Sequence, residues 1–515
     1  MPTYAVIGPP GTGKTSTIAR NAAKAVQRYG EDGVMGCSLT KAAALEAAGR
    51  VSLPKGAFTT LHAHCYHGLG RPKMVADKHL AEWNELHPQW RLSGAKDDPL
   101  GAGKTRGDEV QQRVEILRHT ERPAALWPAE ETAFLEAWRE WKGDLYDFTD
   151  LIEQAAEQLP LAPRQPAIIF ADEAQDHSRL ELRLLRQWAR AAENLILVGD
   201  SDQSLFAWRG AAEDALSADA PPIVLVQSHR VPRAVHQVAT QILRPVEYHP
   251  TAEEGEVLRL PHGYREIEAY VPLLERWMAA GESAMVLASC EFMLRPALAC
   301  FRRLGIPYHN PYTDRWNPLR SGRGVSTSER LLAFLRPARG QMWTGADLRA
   351  WLPMIVAQGN LRRGQKGQID QIPDDLTAEA ALGRLNAMLT PEGAAWVRRV
   401  DLDALCGQMT AQYQRAAAYP LEILRRRGAA ALEASTGSER ERPDRVVVGT
   451  VHAVKGGEST NVLLFPDLSP RGWQQYRQPG WNGRDAIRRV FYVAVTRSRK
   501  RLVIGAPSGG LCAAI

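Results

Sequence analysis

"TYAVIGPPGTGKTS", residues 3–16, runs from an apolar strand through a glycine-rich turn into a helix that begins at about Lys14. Within it, Gly8, Pro9, Pro10, Gly11, Thr12, Gly13, Lys14 and Thr15, followed by Ser16, fit the pattern G-x-x-x-x-G-K-[ST]. Each position has a physical task. Glycines let backbone N–H groups wrap phosphate oxygens, and the following helix points its positive end at them. Lys14 neutralises the β and γ oxygens, and the Thr15 hydroxyl is suited to magnesium. A chance glycine-rich turn needs neither a strand before it nor a helix after it; this one has both. The expectation is a triphosphate site at the carboxyl end of a parallel sheet.

Further apolar runs extend that pattern. "VMGCSL" (34–39), "AIIFADE" (167–173), "NLILVGD" (194–200) and "PPIVLVQS" (221–228) each end in a polar or glycine-containing turn before a helical stretch. This alternation predicts an α/β fold with helices on both faces of a parallel sheet. "AMVLAS" (284–289), "RVVVGTV" (445–451), "NVLLFPD" (461–467) and "RLVIGAP" (501–507) predict a second sheet of the same kind. Two segments differ in texture. Residues 67–145 are Trp-rich and helical, and residues 310–440 are helical and basic, so both read as mainly helical insertions. The expected division is a first sheet domain at 1–66 with 146–220, and a second at 221–309 with 441–515.

Composition narrows the class. The 515 residues are 44% hydrophobic and 24% charged, which suits several globular domains. No run of about 18 apolar residues occurs, and "MPTYAVIGPP" lacks the pattern of a secretory signal, so a cytoplasmic protein with no membrane span is expected. Six cysteines without CxxC spacing read as reduced thiols rather than a zinc site. The net charge of +6 leans toward a polyanionic partner.

"IIFADEAQDHS" (168–178) supplies the acids that the phosphate loop needs. Two carboxylates at the end of a buried strand are costly unless a cation or a wet cleft meets them. Asp172 is therefore the candidate magnesium ligand and Glu173 the candidate general base, while Asp176 reads as a helix N-cap. Downstream, "LVGDSDQSLFAWRGA" (197–211) places an acidic turn, a Gln, two aromatics and an Arg within a dozen residues.

These two stretches closely resemble motifs II and III of the UvrD/Rep/PcrA-like helicases of superfamily 1, and other segments follow the family's order. "SLTKAAALEAAGRV" (38–51), "TLHAHC" (60–65) and "YDFTDLI" (146–152) are similar to motif Ia, the TFH-type motif and the DFDDL segment. "QSHRVPRAVHQVA" (227–239), "GTVHAVKGGES" (449–459) and "IRRVFYVAVTRSRKRLVI" (487–504) resemble motifs IV, V and VI. The resemblance spans roughly two thirds of the chain and implies two RecA-like P-loop motor domains, each with an insertion.

By that resemblance, Gln203 senses the γ-phosphate, Arg230 and Arg497 reach it from the second motor, and Glu458 contacts the ribose. Trp208 stacks on a base of single-stranded DNA, Arg209 holds the backbone, and Phe206, Thr40, His62, Thr450 and His452 line the DNA track. Lys41 and Lys455 are equally open to a structural ion-pair role. The implied activity is an ATP-dependent DNA helicase using Mg²⁺, moving 3′ to 5′ on single-stranded DNA and acting at single-strand/duplex junctions. A replication or repair loading partner fits that work, as does association with the nucleoid. The alternative of another class is a translocase or ATP-switched DNA-binding protein that displaces proteins without unwinding. The paired Arg230 and Arg497 argue against a P-loop kinase. Three departures stand out. Ser16 replaces the family's Arg near adenine, His229 replaces the aromatic of motif IV, and only three residues precede "YAVIG", where the family has an adenine-reading segment. Weak base selection, with other NTPs accepted, is the expectation.

Overall fold

The computed structural model describes residues 2–38, 56–93, 105–310, 319, 324–436 and 446–515. Twelve strands form among them: β1 Thr3–Ile7, β2 Val34–Ser38, β3 Phe58–Thr60, β4 Ile168–Ala171, β5 Asn194–Gly199, β6 Ile223–Val224, β7 Glu256–Leu260, β8 Ala284–Ala288, β9 Tyr308–His309, β10 Val446–Thr450, β11 Ser459–Leu464 and β12 Ser498–Gly505. They build two six-stranded sheets, of order β3-β2-β4-β5-β1-β6 and β7-β12-β11-β8-β10-β9. In the first sheet every pair is parallel. In the second, β7–β12, β12–β11 and β10–β9 are parallel.

Contacts divide the chain into two units, Met1–Tyr264 with Leu287–Met293 and Thr450–Ile515, and Arg265–Val286 with Leu294–Gly449. In the first unit the sheet is buried on both faces, as the continuous apolar runs require. Side chains alternate along each strand, so Val34, Phe170 and Val198 pack with Ile18, Ala22 and Ala25 of the helix Lys14–Tyr29. Met35, Ile169, Ala171, Leu195 and Leu197 point the other way, onto Leu61, Leu151, Leu184 and Trp188. A fully buried Leu such as Leu195 or Leu197 stabilises the fold by about 1.5–3 kcal/mol.

The Trp-rich segment forms helices Arg106–His119 and Ala129–Lys142, and its tryptophans are core: Trp83 and Trp138 pack with Val110, Val114 and Phe134. Arg118, almost fully buried, ties this helical layer to the helix Phe148–Gln158 and its cap through Asp147, Asp150 and Glu153. In the second unit, helices including Thr327–Phe334, Gly345–Trp351, Ala378–Met388 and Ala411–Thr436 account for most of residues 324–436, with Phe334, Trp343, Trp351 and Trp396 in ring contact. The described residues of both segments are mainly helical, as their texture implies.

The strands that differ from expectation are mostly at the sheet edges. β3, β7 and β9 were not expected as strands, and β6 covers two residues of an expected eight. Edge strands are short and half-solvated, so they lack the apolar run that marks a central strand. Pro221 and Pro222 also cannot donate to the ladder, which delays β6. Among the described residues no helix is long and apolar enough to cross a membrane.

Candidate functional site

The carboxyl ends of β1, β5 and β4 lie side by side and carry the three acidic or glycine-rich turns. After β1, the Gly8 N–H donates to the Gly199 carbonyl at 2.9 Å, which binds the phosphate loop to the end of β5. Gly11 and Gly13 adopt φ of 74° and 84°, left-handed values that non-glycine residues rarely take. A Cβ on Gly8 would sit 2.2 Å from Lys14 Cγ, and one on Gly11 would sit 2.4 Å from Arg230 Cβ. The glycines therefore hold open a cradle that any side chain would fill. The helix Lys14–Tyr29 has no side-chain cap, so its positive end remains available to an anion. Lys14 Nζ donates to the Gly8 carbonyl at 2.6 Å, folded over the loop.

After β4, Asp172 is 2% exposed and Oδ1 accepts the Glu173 N–H at 2.9 Å. Glu173 sits at φ 52°, an unfavourable conformation for its type. Gln175 Nε2 donates to Glu173 Oε2 at 2.5 Å, and its Oε1 accepts the Asp200 N–H at 2.8 Å. Burial pushes the Glu173 carboxyl up, but Lys455, Lys14, the Gln175 hydrogen bond and Arg497 together outweigh it and hold the pKa at about 2. Glu173 is thus ionised. Asp176 does not cap a helix. Ser178 caps Arg179–Ala189, in a capping box with Glu181, while Asp176 pairs with Lys455 and accepts the Leu205 N–H at 3.2 Å. The Lys455 ammonium opposite makes the ion pair the better use of that carboxylate.

After β5, Asp200 Oδ2 accepts from Gln203 Nε2 at 2.6 Å, and Gln203 Oε1 accepts from Arg497 Nη2 at 3.0 Å. Arg497, 2% exposed, also donates to the carbonyls of Val493 at 3.0 Å and Gly457 at 3.1 Å. Lys455 Nζ donates to the Gln203 carbonyl at 3.0 Å. Arg230 sits against the phosphate loop and pairs with Glu458 at 2.5 Å, and Glu458 also meets Arg499 at 3.1 Å. Ser228 Oγ donates to the Pro10 carbonyl and the His229 N–H to the Gly11 carbonyl at 2.7 and 2.8 Å. Lys14, Glu173, Gln203, Arg230, Arg497 and Glu458 are consequently gathered around one cradle.

The other half of the motif III loop faces elsewhere. The Phe206 ring is 6.2 Å from Trp208 and 6.3 Å from His452, with the Arg209 guanidinium 5.8 Å and Lys455 Nζ 5.3 Å from its centroid. Trp208 lines two cavities, of about 270 and about 330 Å³. His62 borders the smaller one and packs edge-on to Phe148, with ring centroids 5.8 Å apart. Burial holds both His62 and His452 neutral, at about 4. Thr450 is 4% exposed and its hydroxyl accepts the Ala453 N–H at 3.3 Å, so it shapes the turn beside His452. Ser16 lies in the first turn of its helix. Thr40 and Lys41 fall outside the described residues.

Three residues of this cluster were not singled out for it from sequence: Gln175 and Asp200, which orient Glu173 and Gln203, and Lys455, weighed only as an ion-pair partner. The usable signal for Asp200 was its place at the end of an apolar strand, the same one that marked Asp172.

A parallel sheet with a phosphate loop after β1 and an acidic pair after β4 defines a P-loop, RecA-like α/β protein. Family models agree in finer detail. One described as "AAA domain" matches residues 1–209, and one described as "UvrD-like helicase C-terminal domain" matches residues 408–508. Over 116 residues the chain is 34% identical to "ATP-dependent DNA helicase PcrA" of Bacillus subtilis and 31% identical to that of Staphylococcus epidermidis. Each match takes in 20% of this chain and 16% of the relative, so it spans about a sixth of the relatives' length. The two family models and the PcrA matches support a chain similar to the UvrD/Rep/PcrA-like helicases of superfamily 1, the group its motifs resemble.

Proposed function

We propose that this chain is a DNA-stimulated NTP hydrolase that uses ATP to translocate 3′ to 5′ on single-stranded DNA and to separate strands at junctions. The observation that carries this reading is the loop Asp200–Arg209. At one end Gln203 is hydrogen-bonded to Arg497 beside the phosphate cradle, and five residues on Trp208 lines open cavities. A change at the triphosphate therefore has a short covalent route to a residue suited to stacking on a base. Stacking tolerates any sequence, which a translocating protein requires.

The residues present fit magnesium, because the Thr15 hydroxyl and Asp172 carboxylate are hard oxygen donors at the cradle's edge. When bound, the ion supplies charge neutralisation for the phosphates. The chain's own groups do the rest. Lys14 exchanges the Gly8 carbonyl for phosphate oxygens, and Glu173 takes the proton of the attacking water. Arg497 and Arg230 stabilise the charge that develops on the transferred group. In this reading the motors comprise residues 1–66 with 146–220 and 221–309 with 441–515, with insertions at 67–145 and 310–440. The protein works in the cytoplasm on the nucleoid, with a loading partner from replication or repair.

Strand displacement and NTP hydrolysis, measured side by side on duplexes with 3′ or 5′ single-stranded tails, test the proposal. Unwinding from the 3′ tail alone is expected. Hydrolysis stimulated by DNA without strand displacement would favour the translocase or ATP-switched reading, and no stimulation by DNA would end both.

A further inference from the structure

The two cavities that share Trp208 differ in charge. The smaller one is walled partly by Asp77, Asp108, Glu115 and Asp147, a lining that repels a phosphodiester backbone. Among the described residues the larger one is lined by no acid, and Arg471 is the one charged group in its lining. Its floor is apolar, from Leu205, Ile487 and Val490, and Trp208 forms a wall. Its rim is unusual in being made of carboxamides.

The helix Pro470–Arg477, capped by Ser469 Oγ on the Gly472 N–H at 3.0 Å, explains that rim. Arg471, Gln474, Gln475 and Gln478 are spaced i, i+3, i+4 and i+7, so they share one face, and all four line the cavity. Gln475 Nε2 donates to the Asn482 carbonyl at 2.7 Å, which brings a further carboxamide, Asn482, to the rim. Arg489, 2% exposed, fixes the arrangement from beneath. It donates to the Ser204 carbonyl at 3.0 Å and the Trp481 carbonyl at 2.6 Å, and its guanidinium lies 3.6 Å from the Trp481 ring centroid. Gln474, Gln478 and Asn482 are exposed, and their side chains have no hydrogen-bond partner among the described residues.

An apolar floor, an aromatic wall, the three unengaged carboxamides Gln474, Gln478 and Asn482 at the rim and one arginine suit a nucleobase with its phosphate. Stacking on Trp208 takes the base face without regard to identity. Carboxamides read the edge, and a Gln or Asn pairs bidentately with adenine N6 and N7. Resting on the single-stranded DNA reading above, we propose that this cavity is an edge-reading nucleobase site that grips adenine through Gln474 and Gln478. The strand is then held unequally along its length, with tighter contact wherever an adenine enters.

The test is equilibrium binding of fluorescent oligo(dA), oligo(7-deaza-dA) and oligo(dT) of equal length, without nucleotide. The 7-deaza base keeps the stacking face and loses only the N7 acceptor. The wild-type protein should bind oligo(dA) about three- to tenfold more tightly than its 7-deaza form, the loss of one of the two hydrogen bonds of a bidentate pair. The double variant Gln474→Leu/Gln478→Leu, altered only at exposed side chains, should bind the two equally and keep its affinity for oligo(dT). Equal binding by the wild type overturns the proposal, and so does a 7-deaza penalty that survives in the double variant. Failure to bind any of the three oligonucleotides is a different result and removes the single-stranded DNA reading itself.

Discussion

Arg497 Nη2 donates to Gln203 Oε1 at 3.0 Å, joining the turn before β12 to the turn after β5 across 294 residues of sequence. Gln203 in turn holds Asp200, and Asp200 accepts nothing from solvent, being 1% exposed. On the proposed reading, a triphosphate arriving in the cradle competes for the same guanidinium. Arg497→Ala should therefore lower DNA-stimulated hydrolysis by about 10³-fold, in the range of an arginine finger, while affinity for single-stranded DNA changes little. Because Arg497 is buried, Gln203→Ala is the companion variant. Melting curves should show both folded, and their effects on kcat should fall well short of additive.

Glu173 and Lys14 separate binding from chemistry. Lys14→Ala should abolish tight nucleotide binding. Glu173→Gln should keep binding and lower kcat by about 10²-fold or more, as loss of a positioned base does. Fluorescent-nucleotide titration and steady-state hydrolysis measure the two. Retained hydrolysis in Glu173→Gln would remove that residue from the base role.

Trp208→Ala should weaken binding of single-stranded DNA by about 1–3 kcal/mol, the range of a base–aromatic stack. Hydrolysis in the absence of DNA should be unchanged. Anisotropy titration decides the matter, and unaltered affinity would make Trp208 a packing residue between two cavities.

His64 yields a pH prediction free of the active site. It is 5% exposed, its Nε2 lies 3.0 Å from the Gly36 carbonyl, and burial lowers its pKa to about 4. The unfolded chain takes up the proton near 6.5. The folded state is therefore favoured fully above pH 6.5, and that stability is lost as pH falls from 6.5 through 4, a swing on the order of 3 kcal/mol. Melting temperature against pH should flatten in that window in His64→Gln. An unchanged slope would mean that His64 is already protonated in the folded protein.

What could be read from the residues follows burial. Central strands β1, β4 and β5 are apolar runs that end in glycine-rich or acidic turns, so the strands and the turns that follow them were visible together. Edge strands β3, β7 and β9 carry no such run, and their pairing depends on neighbours distant in sequence. The candidate phosphate-loop residues stood out because a glycine-rich turn between strand and helix restricts backbone and side chain at fixed spacing. Asp176 was misread because a capping role is local, whereas its partner Lys455 is 279 residues away. The carboxamide face at 471–478 was not singled out from sequence, because its meaning requires the wall that Trp208 supplies.

The last prediction concerns which nucleotide is used. An adenine is selected by groups that hydrogen-bond its edge, and a site built in that way rejects other bases strongly. At the position where the family carries an Arg near adenine, this chain has Ser16, in the first turn of the helix Lys14–Tyr29. At the motif IV aromatic position it has His229, exposed, with its backbone N–H bound to the Gly11 carbonyl at 2.8 Å. A short hydroxyl reaches less far than a guanidinium, and an imidazole stacks on any base face. Discrimination by these two groups is accordingly weak. GTP and CTP should support hydrolysis within about tenfold of ATP, a difference of about 1.4 kcal/mol in transition-state stabilisation. The measurement is kcat/KM for the four NTPs on saturating single-stranded DNA. Ser16→Arg should raise the preference for ATP if that position lies at the base. A wild-type preference for ATP beyond a hundredfold would show that other residues read the adenine edge.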